Sequence, residues 1–184
     1  MSLLRNAIAI SLAFVLSCSI AQAATIHCAE APQQACVTAS LSGVIVTGDY
    51  ERVNDFVVAN RTTLHTLSLT SPGGAMEESI DIGRLVRTRA LDTVADGFCG
   101  SGCALVWLGG KHRAGAVYVW VHQPVTRTTV TNLRYGSFTV VTTGGAAAVA
   151  SIRGYLTDMG ATEEIIDSVL APSPHNDGHP INAP

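Results

Sequence analysis

Charged side chains are scarce in this sequence. They make up 14% of the 184 residues, with 11 Lys and Arg against 14 Asp and Glu, and the formal net charge is −3. Proteins that bind nucleic acids carry clustered Lys and Arg, and no such cluster stands out here. The composition therefore argues against a nucleic-acid partner, and the length fits a single domain.

Long apolar runs are also missing, apart from one at the N-terminus. Arg5 precedes an apolar stretch over 7–20, and Ala21-Gln22-Ala23 follows as a small-x-small cleavage site. This order is typical of a signal peptide over 1–23, with Ala24 as the first mature residue. A membrane anchor would need about 20 apolar residues, so it is the weaker alternative. We expect a periplasmic or secreted protein with no membrane span after cleavage.

Signatures of metal and cofactor binding are absent as well. The cysteines do not form two CxxC knuckles, no histidines cluster with them, and the chain has no nucleotide-binding loop. We therefore expect neither a metal nor a cofactor. Of the five cysteines, Cys18 lies in the predicted signal peptide, so four remain in the mature chain. An even number of cysteines in an exported chain suggests disulfides, and four cysteines allow three pairings. Proximity favours Cys28 with Cys36 and Cys99 with Cys103.

Strand-like and helix-like segments alternate from Gly43 onward, and the β-branched run 43–48 is the first predicted strand. The alternation predicts right-handed βαβ units, a mostly parallel sheet and flanking helices over 43–171. Residues 24–42 read as an irregular N-terminal extension and 172–184 as a flexible tail. Polar or glycine-rich clusters at 71–74, 97–102 and 122–124 follow strands, so we expect them to meet at one edge of the sheet. The stretch Thr139 to Thr143 is β-rich but could be a loop arm.

Three of these segments have two readings each. Ser101, between Gly100 and Gly102, opens an apolar helix, so it could be a nucleophile or only a helix cap. His122 ends a strand before a proline and could be a general base or a structural histidine. The turn at Gly73-Gly74 could present backbone N–H groups to an oxyanion or merely connect a strand to a helix. Taken singly, each segment favours the structural reading.

Together the three segments favour the functional reading. Ser71-Pro72-Gly73-Gly74, then Gly100-Ser101-Gly102, then His122-Gln123-Pro124 resembles the proteolytic subunit of Clp proteases in motif, order and spacing. The resemblance covers roughly 43–170. The serine lies in Cys99-Gly100-Ser101-Gly102-Cys103, which is similar to small periplasmic Clp-protease-like proteins.

The resemblance implies a crotonase/Clp-protease-like α/β fold and serine-peptidase ancestry. It assigns Ser101 as nucleophile, His122 as general base, and the N–H groups of Gly73 or Gly74 and of Gly102 as oxyanion hole. It also implies a peptide or protein substrate and a possible homo-oligomer.

The third catalytic position departs from the family pattern. No aspartate falls cleanly in register after the last predicted helix, and Asp177 is the nearest carboxylate. The orienting group could be Asp177, Asn176, a main-chain carbonyl, or absent. Losing an orienting acid can cost about 10⁴-fold in turnover. The chain also ends soon after this point, without the family's C-terminal elements.

Three functions follow from these observations. The first is a periplasmic serine hydrolase, most plausibly a peptidase; the second is a non-catalytic peptide-binding or assembly protein on the same fold. The third, an acyl-CoA enzyme of the crotonase type, ranks low because the leader directs the chain away from CoA and no pair of carboxylates lies in the predicted site. A Cys99–Cys103 disulfide would, by hypothesis, clamp the turn that carries Ser101.

Overall fold

A computed structural model describes residues 23–132, 136–172 and 178–181, and within 127–143 it describes the backbone alone. Residues 1–22 of the predicted signal peptide lie outside this part of the chain. Asp177, the predicted third catalytic residue, and Asn176 also lie outside it.

The described residues form nine strands and five α-helices. The strands are β1 Thr25–Cys28, β2 Thr38–Ser42, β3 Thr66–Ser71, β4 Asp92–Gly100, β5 Arg113–Ala114, β6 Val119–Val121, β7 Val125–Asn132, β8 Gly136–Thr143 and β9 His179–Pro180. The helices are α1 Asp49–Ala59, α2 Met76–Thr88, α3 Gly102–Leu108, α4 Ala146–Asp158 and α5 Glu163–Leu170. A short 3₁₀ turn, Ala116–Tyr118, precedes β6.

Most strands belong to one sheet with the order β1-β2-β3-β4-β6-β9, and β5 pairs with β4. The inner strands β2, β3, β4 and β6 are parallel, whereas β1 and β9 run antiparallel at the two edges. Apolar residues of the strands, such as Leu67, Leu69 and Ala95, are fully buried in the core beneath the helices. The predicted α/β fold with a mostly parallel sheet is confirmed.

A register shift between β3 and β4 determines where the two strands end relative to each other. Leu69 pairs with Ala95, but the next pair joins Ser71 to Cys99. The additional residues in β4 carry its end level with the turn after β3. Because parallel strands end at the same edge, the segments after β3, β4 and β6 are brought together there.

The N-terminal part of the mature chain differs from expectation. Residues 24–42, expected to be an irregular extension, supply β1 and β2 of the main sheet, whereas 43–48, expected to be a strand, makes only isolated bridges. Gly43 has φ 99°, which ends β2 before the β-branched run begins. The β2 sequence, Thr-Ala-Ser-Leu-Ser, alternates Ala39 and Leu41 into the core, but its small polar residues make a weak strand signal.

The end of the chain also departs from the flexible tail expected over 172–184. His179–Pro180 forms β9, which pairs antiparallel with β6, and the adjacent Ile181 is buried. The composition of this segment is typical of a loop, and only the pairing with a distant strand orders it.

The stretch expected to be strands or a loop arm is a hairpin. β7 and β8 pair antiparallel along their whole length, from Val125 with Thr143 to Asn132 with Gly136. They form a two-stranded sheet separate from the main one.

Helices α2, α3 and α4 meet closely at Gly83. The buried Tyr155 hydroxyl donates a 2.6 Å hydrogen bond to the Leu105 carbonyl, directly over Gly83. Burial raises the pKa of Tyr155, which keeps the phenol protonated as a donor. A Cβ on Gly83 would lie 1.9 Å from the Tyr155 hydroxyl oxygen. None of the helices in the described residues is long and apolar enough to cross a membrane.

Gly83→Ala is therefore expected to lower the free energy of unfolding by about 1–3 kcal/mol, because the added methyl group displaces Tyr155. Gly154→Ala is the matched control, since a Cβ on this exposed glycine of α4 meets nothing within 4 Å. It should raise the free energy by roughly 0.5–1 kcal/mol. Urea denaturation measures both, and equal effects of the two substitutions would contradict the packing described at Gly83.

Candidate active site

The edge where β3, β4 and β6 end contains a pocket of about 190 Å³. Ser101, His122, Gly74 and Gly102 all line it. The structure therefore brings together, in one cavity, four of the residues that the sequence analysis singled out.

Ser101 occupies a strained turn between β4 and α3. Its dihedral angles are φ 55° and ψ −121°, a conformation that residues with a side chain rarely adopt. Such strain persists only where surrounding contacts enforce it, and it is concentrated at functional sites. The turn directs the chain sharply from strand to helix, as in known nucleophile turns.

The backbone of Ser101 does not match that of a helix cap. A capping serine has β-region dihedrals, and its hydroxyl accepts from an N–H of the first turn. Ser101 precedes α3 directly, yet its side chain makes no capping hydrogen bond. Within the described residues its hydroxyl makes no hydrogen bond at all, so it is left available in the pocket.

His122 follows β6 and is oriented by the main chain. Its Nδ1 lies 2.6 Å from the carbonyl oxygen of Gln123. A carbonyl can only accept, so Nδ1 carries the proton and Nε2 of the neutral imidazole is free to accept one. No hydrogen bond joins His122 to Ser101 in the described part of the chain. Such bonds are often long in free enzymes and tighten when substrate binds.

The edge strand β9 brings Gly178 close to His122. β9 pairs Val121 with His179, which places Gly178 opposite His122. A Cβ built on Gly178 would lie 3.9 Å from the His122 Cβ. Gly178 is bonded to Asp177, the predicted third residue.

Two backbone N–H groups in the pocket have no acceptor among the described residues. They belong to Gly74 and to Gly102, the first residue of α3. The nitrogen of Gly74 lies only 3.3 Å from the position that a Cβ on Gly102 would take. These adjacent donors can bind an oxyanion formed at a carbonyl attacked by Ser101.

Gly73, the other predicted donor, has its N–H engaged. It donates to the Ser71 hydroxyl over 3.0 Å, and that hydroxyl in turn donates to the Gly43 carbonyl. Gly73 has φ +87°, and a Cβ there would come within 2.4 Å of the Gly100 carbonyl oxygen. Its position therefore requires glycine because the turn packs directly on the segment that carries Ser101.

One side of the pocket is apolar. Its lining side chains come from α2 to α5 and β6: Met76, Leu105, Val121, Ala148, Ile152 and Val169. The base of the hairpin closes another side through Val125, Thr126 and Gly144. The lining thus combines aliphatic side chains, which suit an apolar group, with the serine, the histidine and the two N–H donors.

Both predicted disulfides are present. Cys28 pairs with Cys36, and Cys99 pairs with Cys103 across the Ser101 turn, with Cα atoms 5.2 Å apart. No group of three or more His, Cys, Asp or Glu that could hold a metal ion occurs within 23–132, 136–172 and 178–181.

Comparisons with known proteins detect the fold rather than a close relative. No family model and no curated protein sequence matches the chain. Among solved structures, a mutant of ClpP1 from Listeria monocytogenes matches with a TM-score of 0.52 and 16% identity, over 72% of this chain and 78% of that chain. The chain has a Clp-protease-like fold.

A second set of matches has the same fold. A mutant of the 1510-N membrane-bound stomatin-specific protease matches with a TM-score of 0.51 and 12% identity, over 74% of this chain and 72% of that chain. Another mutant of that protease, in complex with a substrate peptide, matches with a TM-score of 0.50 and 13% identity, over 72% of this chain and 64% of that chain. At these identities the likeness concerns the fold.

Sequence reasoning missed two parts of the site. The first is the pocket wall formed by Ile152 and Val169, whose helical periodicity indicates burial but not which cavity they face. The second is the approach of Gly178 to His122, which depends on the unpredicted strand β9. The sequence analysis allowed a main-chain carbonyl as one of several orienting groups but did not identify that of Gln123.

The strain at Ser101 predicts an inverted order of stability. Glycine is normally less stable than alanine, but at φ 55° it adopts the required backbone without steric cost. Ser101→Gly should therefore be more stable than Ser101→Ala by about 0.5–1.5 kcal/mol. The control is Ser151, an exposed residue within α4, where glycine should be less stable than alanine by about 0.5–1 kcal/mol. Thermal unfolding measures all four, and the same order at both positions would contradict a strained turn.

Proposed function

We propose that this chain is an exported serine hydrolase that cleaves peptide bonds. One observation carries the proposal: a serine in a strained strand-to-helix turn, a histidine and two unengaged backbone N–H groups line a single pocket. The fold shared with Clp-type and stomatin-specific proteases supports the choice of a peptide substrate.

The reaction proceeds through an acyl-enzyme. The Ser101 hydroxyl oxygen attacks the substrate carbonyl carbon while His122 Nε2 accepts the hydroxyl proton. The N–H groups of Gly74 and Gly102 donate to the oxyanion of the tetrahedral intermediate. His122 then returns its proton to the leaving amine. Water next attacks the acyl-enzyme ester while His122 Nε2 accepts a proton from it, and His122 gives that proton to the Ser101 oxygen as the acid product leaves.

Two groups orient the His122 imidazole in this proposal. The Gln123 carbonyl accepts from Nδ1 and selects the tautomer in which Nε2 acts as base. Asp177 is proposed as the acid that stabilises the imidazolium, because its neighbour Gly178 lies opposite His122. A carboxylate in this position lowers the energy of the charged imidazole formed during attack.

The apolar side of the pocket selects the residue that supplies the attacked carbonyl. Its aliphatic lining favours a side chain of medium size without charge, since a charged group would be desolvated there without a partner.

The proposed hydrolase acts on a peptide or protein, is exported to the periplasm or medium, and associates with copies of itself. Light scattering of the purified protein measures self-association.

A second function is favoured by one observation. The Ser101 hydroxyl and His122 are not hydrogen-bonded to each other in the described residues, so the pair could bind peptides without turnover. In that case the pocket would hold an aliphatic side chain, and Ser101 would contribute only its position in the turn.

The test is reaction with a fluorophosphonate probe. The full chain is expressed with export into an oxidising compartment, purified and treated with probe, and the adduct is located by intact mass and peptide mapping. We expect one adduct at Ser101, on a chain beginning at Ala24. Ser101→Ala should abolish labelling, and His122→Ala should slow it by about 10²–10⁴-fold, because the serine loses its base.

Two further variants refine the test. His112→Ala is the matched histidine control, since His112 is exposed and pairs with Asp92 at the opposite end of β4; it should label like wild type. Asp177→Asn should slow labelling by less than His122→Ala does, because the Gln123 carbonyl still selects the tautomer, and no slowing would leave that carbonyl as the orienting group. If the folded wild-type protein does not react with the probe, the hydrolase proposal is wrong and the peptide-binding function is favoured.

A further inference from the structure

The strained conformation of Ser101 has to be held by something. Two backbone hydrogen bonds contribute: Ser101 donates to the Trp120 carbonyl over 2.9 Å and accepts from the Ala104 N–H over 2.9 Å. Both bonds hold the peptide groups at the two ends of the residue, one to β6 and the other within the first turn of α3. A third connection joins β4 to α3 across the same turn.

The Cys99–Cys103 disulfide is that third connection. It joins the penultimate residue of β4 to the second residue of α3, and Ser101 is the middle of the five residues it encloses. Cys99 and Cys103 have exposed fractions of 0% and 1%. A covalent bond inside the packed core therefore holds the strand end and the helix start at a fixed separation around the serine.

The same bond controls the oxyanion donor. Gly102, which provides one of the two free N–H groups of the pocket, lies between Ser101 and Cys103. Its Cα packs against Ser79, whose hydroxyl oxygen lies 2.3 Å from the position of an added Cβ. Movement of the turn would displace this N–H and the Ser101 hydroxyl together.

The other disulfide provides an internal comparison. Cys28–Cys36 joins β1 to the loop before β2, at the edge of the sheet, and β2 and β3 lie between β1 and β4. None of its residues lines the pocket. It closes a longer loop, so the chain-entropy model assigns it the larger contribution to global stability.

We propose that the Cys99–Cys103 disulfide is a positioning element of the hydrolytic site, and that the site becomes reactive only when this disulfide forms. The inference rests on the proposed function. Oxidation removes two electrons and two protons from the Cys99 and Cys103 thiols, and a disulfide of the glutathione or thiol oxidoreductase class accepts them and becomes two thiols. A chain kept in a reducing compartment therefore lacks the covalent constraint on the Ser101 turn.

Labelling kinetics test the proposal. The wild type, Cys99→Ala/Cys103→Ala and Cys28→Ala/Cys36→Ala are produced as full, exported chains and treated with a fluorophosphonate well below the lowest melting temperature. The Cys99/Cys103 pair should label at least about tenfold more slowly, through a lower maximal rate at unchanged probe affinity. The Cys28/Cys36 pair should remain within about twofold of wild type, although it is the less stable of the two by loop length.

A second measurement does not depend on activity. The melting temperatures of Ser101→Gly and Ser101→Ala are compared with and without the Cys99–Cys103 disulfide. If the disulfide enforces the strain, the advantage of glycine over alanine shrinks when the disulfide is removed, because the turn relaxes. Should the alanine pair fail to fold, Cys99→Ala/Cys103→Val fills more of the vacated volume and serves in both measurements.

The outcomes separate the two proposals. An unlabelled wild type with a disulfide-dependent glycine advantage would overturn the hydrolase and leave the disulfide only as a constraint on the conformation of the turn. A labelled wild type would support the hydrolase; equal labelling of the Cys99/Cys103 pair with an unchanged glycine advantage would overturn the positioning role.

Discussion

The N–H of Ser101 donates to the carbonyl of Trp120, and this bond determines much of the site geometry. It extends the parallel pairing of β4 with β6 by one residue beyond the pair of Gly100 with Trp120. β4 therefore remains extended up to the residue where α3 must begin, and the whole change of direction occurs at Ser101. His122 follows Trp120 by two residues, so the same register brings the imidazole to the serine's edge.

The fit of the turn after β3 depends on that register too. The shift between β3 and β4 aligns Ser71 with Cys99, which sets Gly73 against the peptide groups around Ser101. No Cβ fits at Gly73, and a Cβ on Gly74 would lie 1.9 Å from the Ile45 carbonyl oxygen, which explains why two glycines follow Pro72. Close packing of main chain on main chain leaves the N–H groups of Gly74 and Gly102 side by side, with no acceptor in the part of the chain that the structure describes.

The parts of this arrangement that were predictable have strong local signals. Alternating elements predicted the parallel sheet, and its carboxyl edge follows from topology, so the meeting of Ser101 with His122 could be anticipated. β1, β2 and β9 could not, because their short polar sequences form strands only through pairing with distant residues. The choice between cap and nucleophile at Ser101 depends on one pair of dihedral angles, which Gly-Ser-Gly permits but does not specify. The pairing of β9, which leads to Gly178, was likewise invisible to local patterns.

The pocket is built from segments far apart in the chain. The turn with Ser101 is complete near the middle of the sequence, whereas Ile152 and Val169 come from its last part. Because a chain emerges and folds from its N-terminus, Ser101 is synthesised well before α4 and α5 can pack beside it. A C-terminally truncated molecule would therefore contain the Ser101 turn without the apolar wall that these two helices supply. Enclosure of the serine is thus a late event in the folding of this chain.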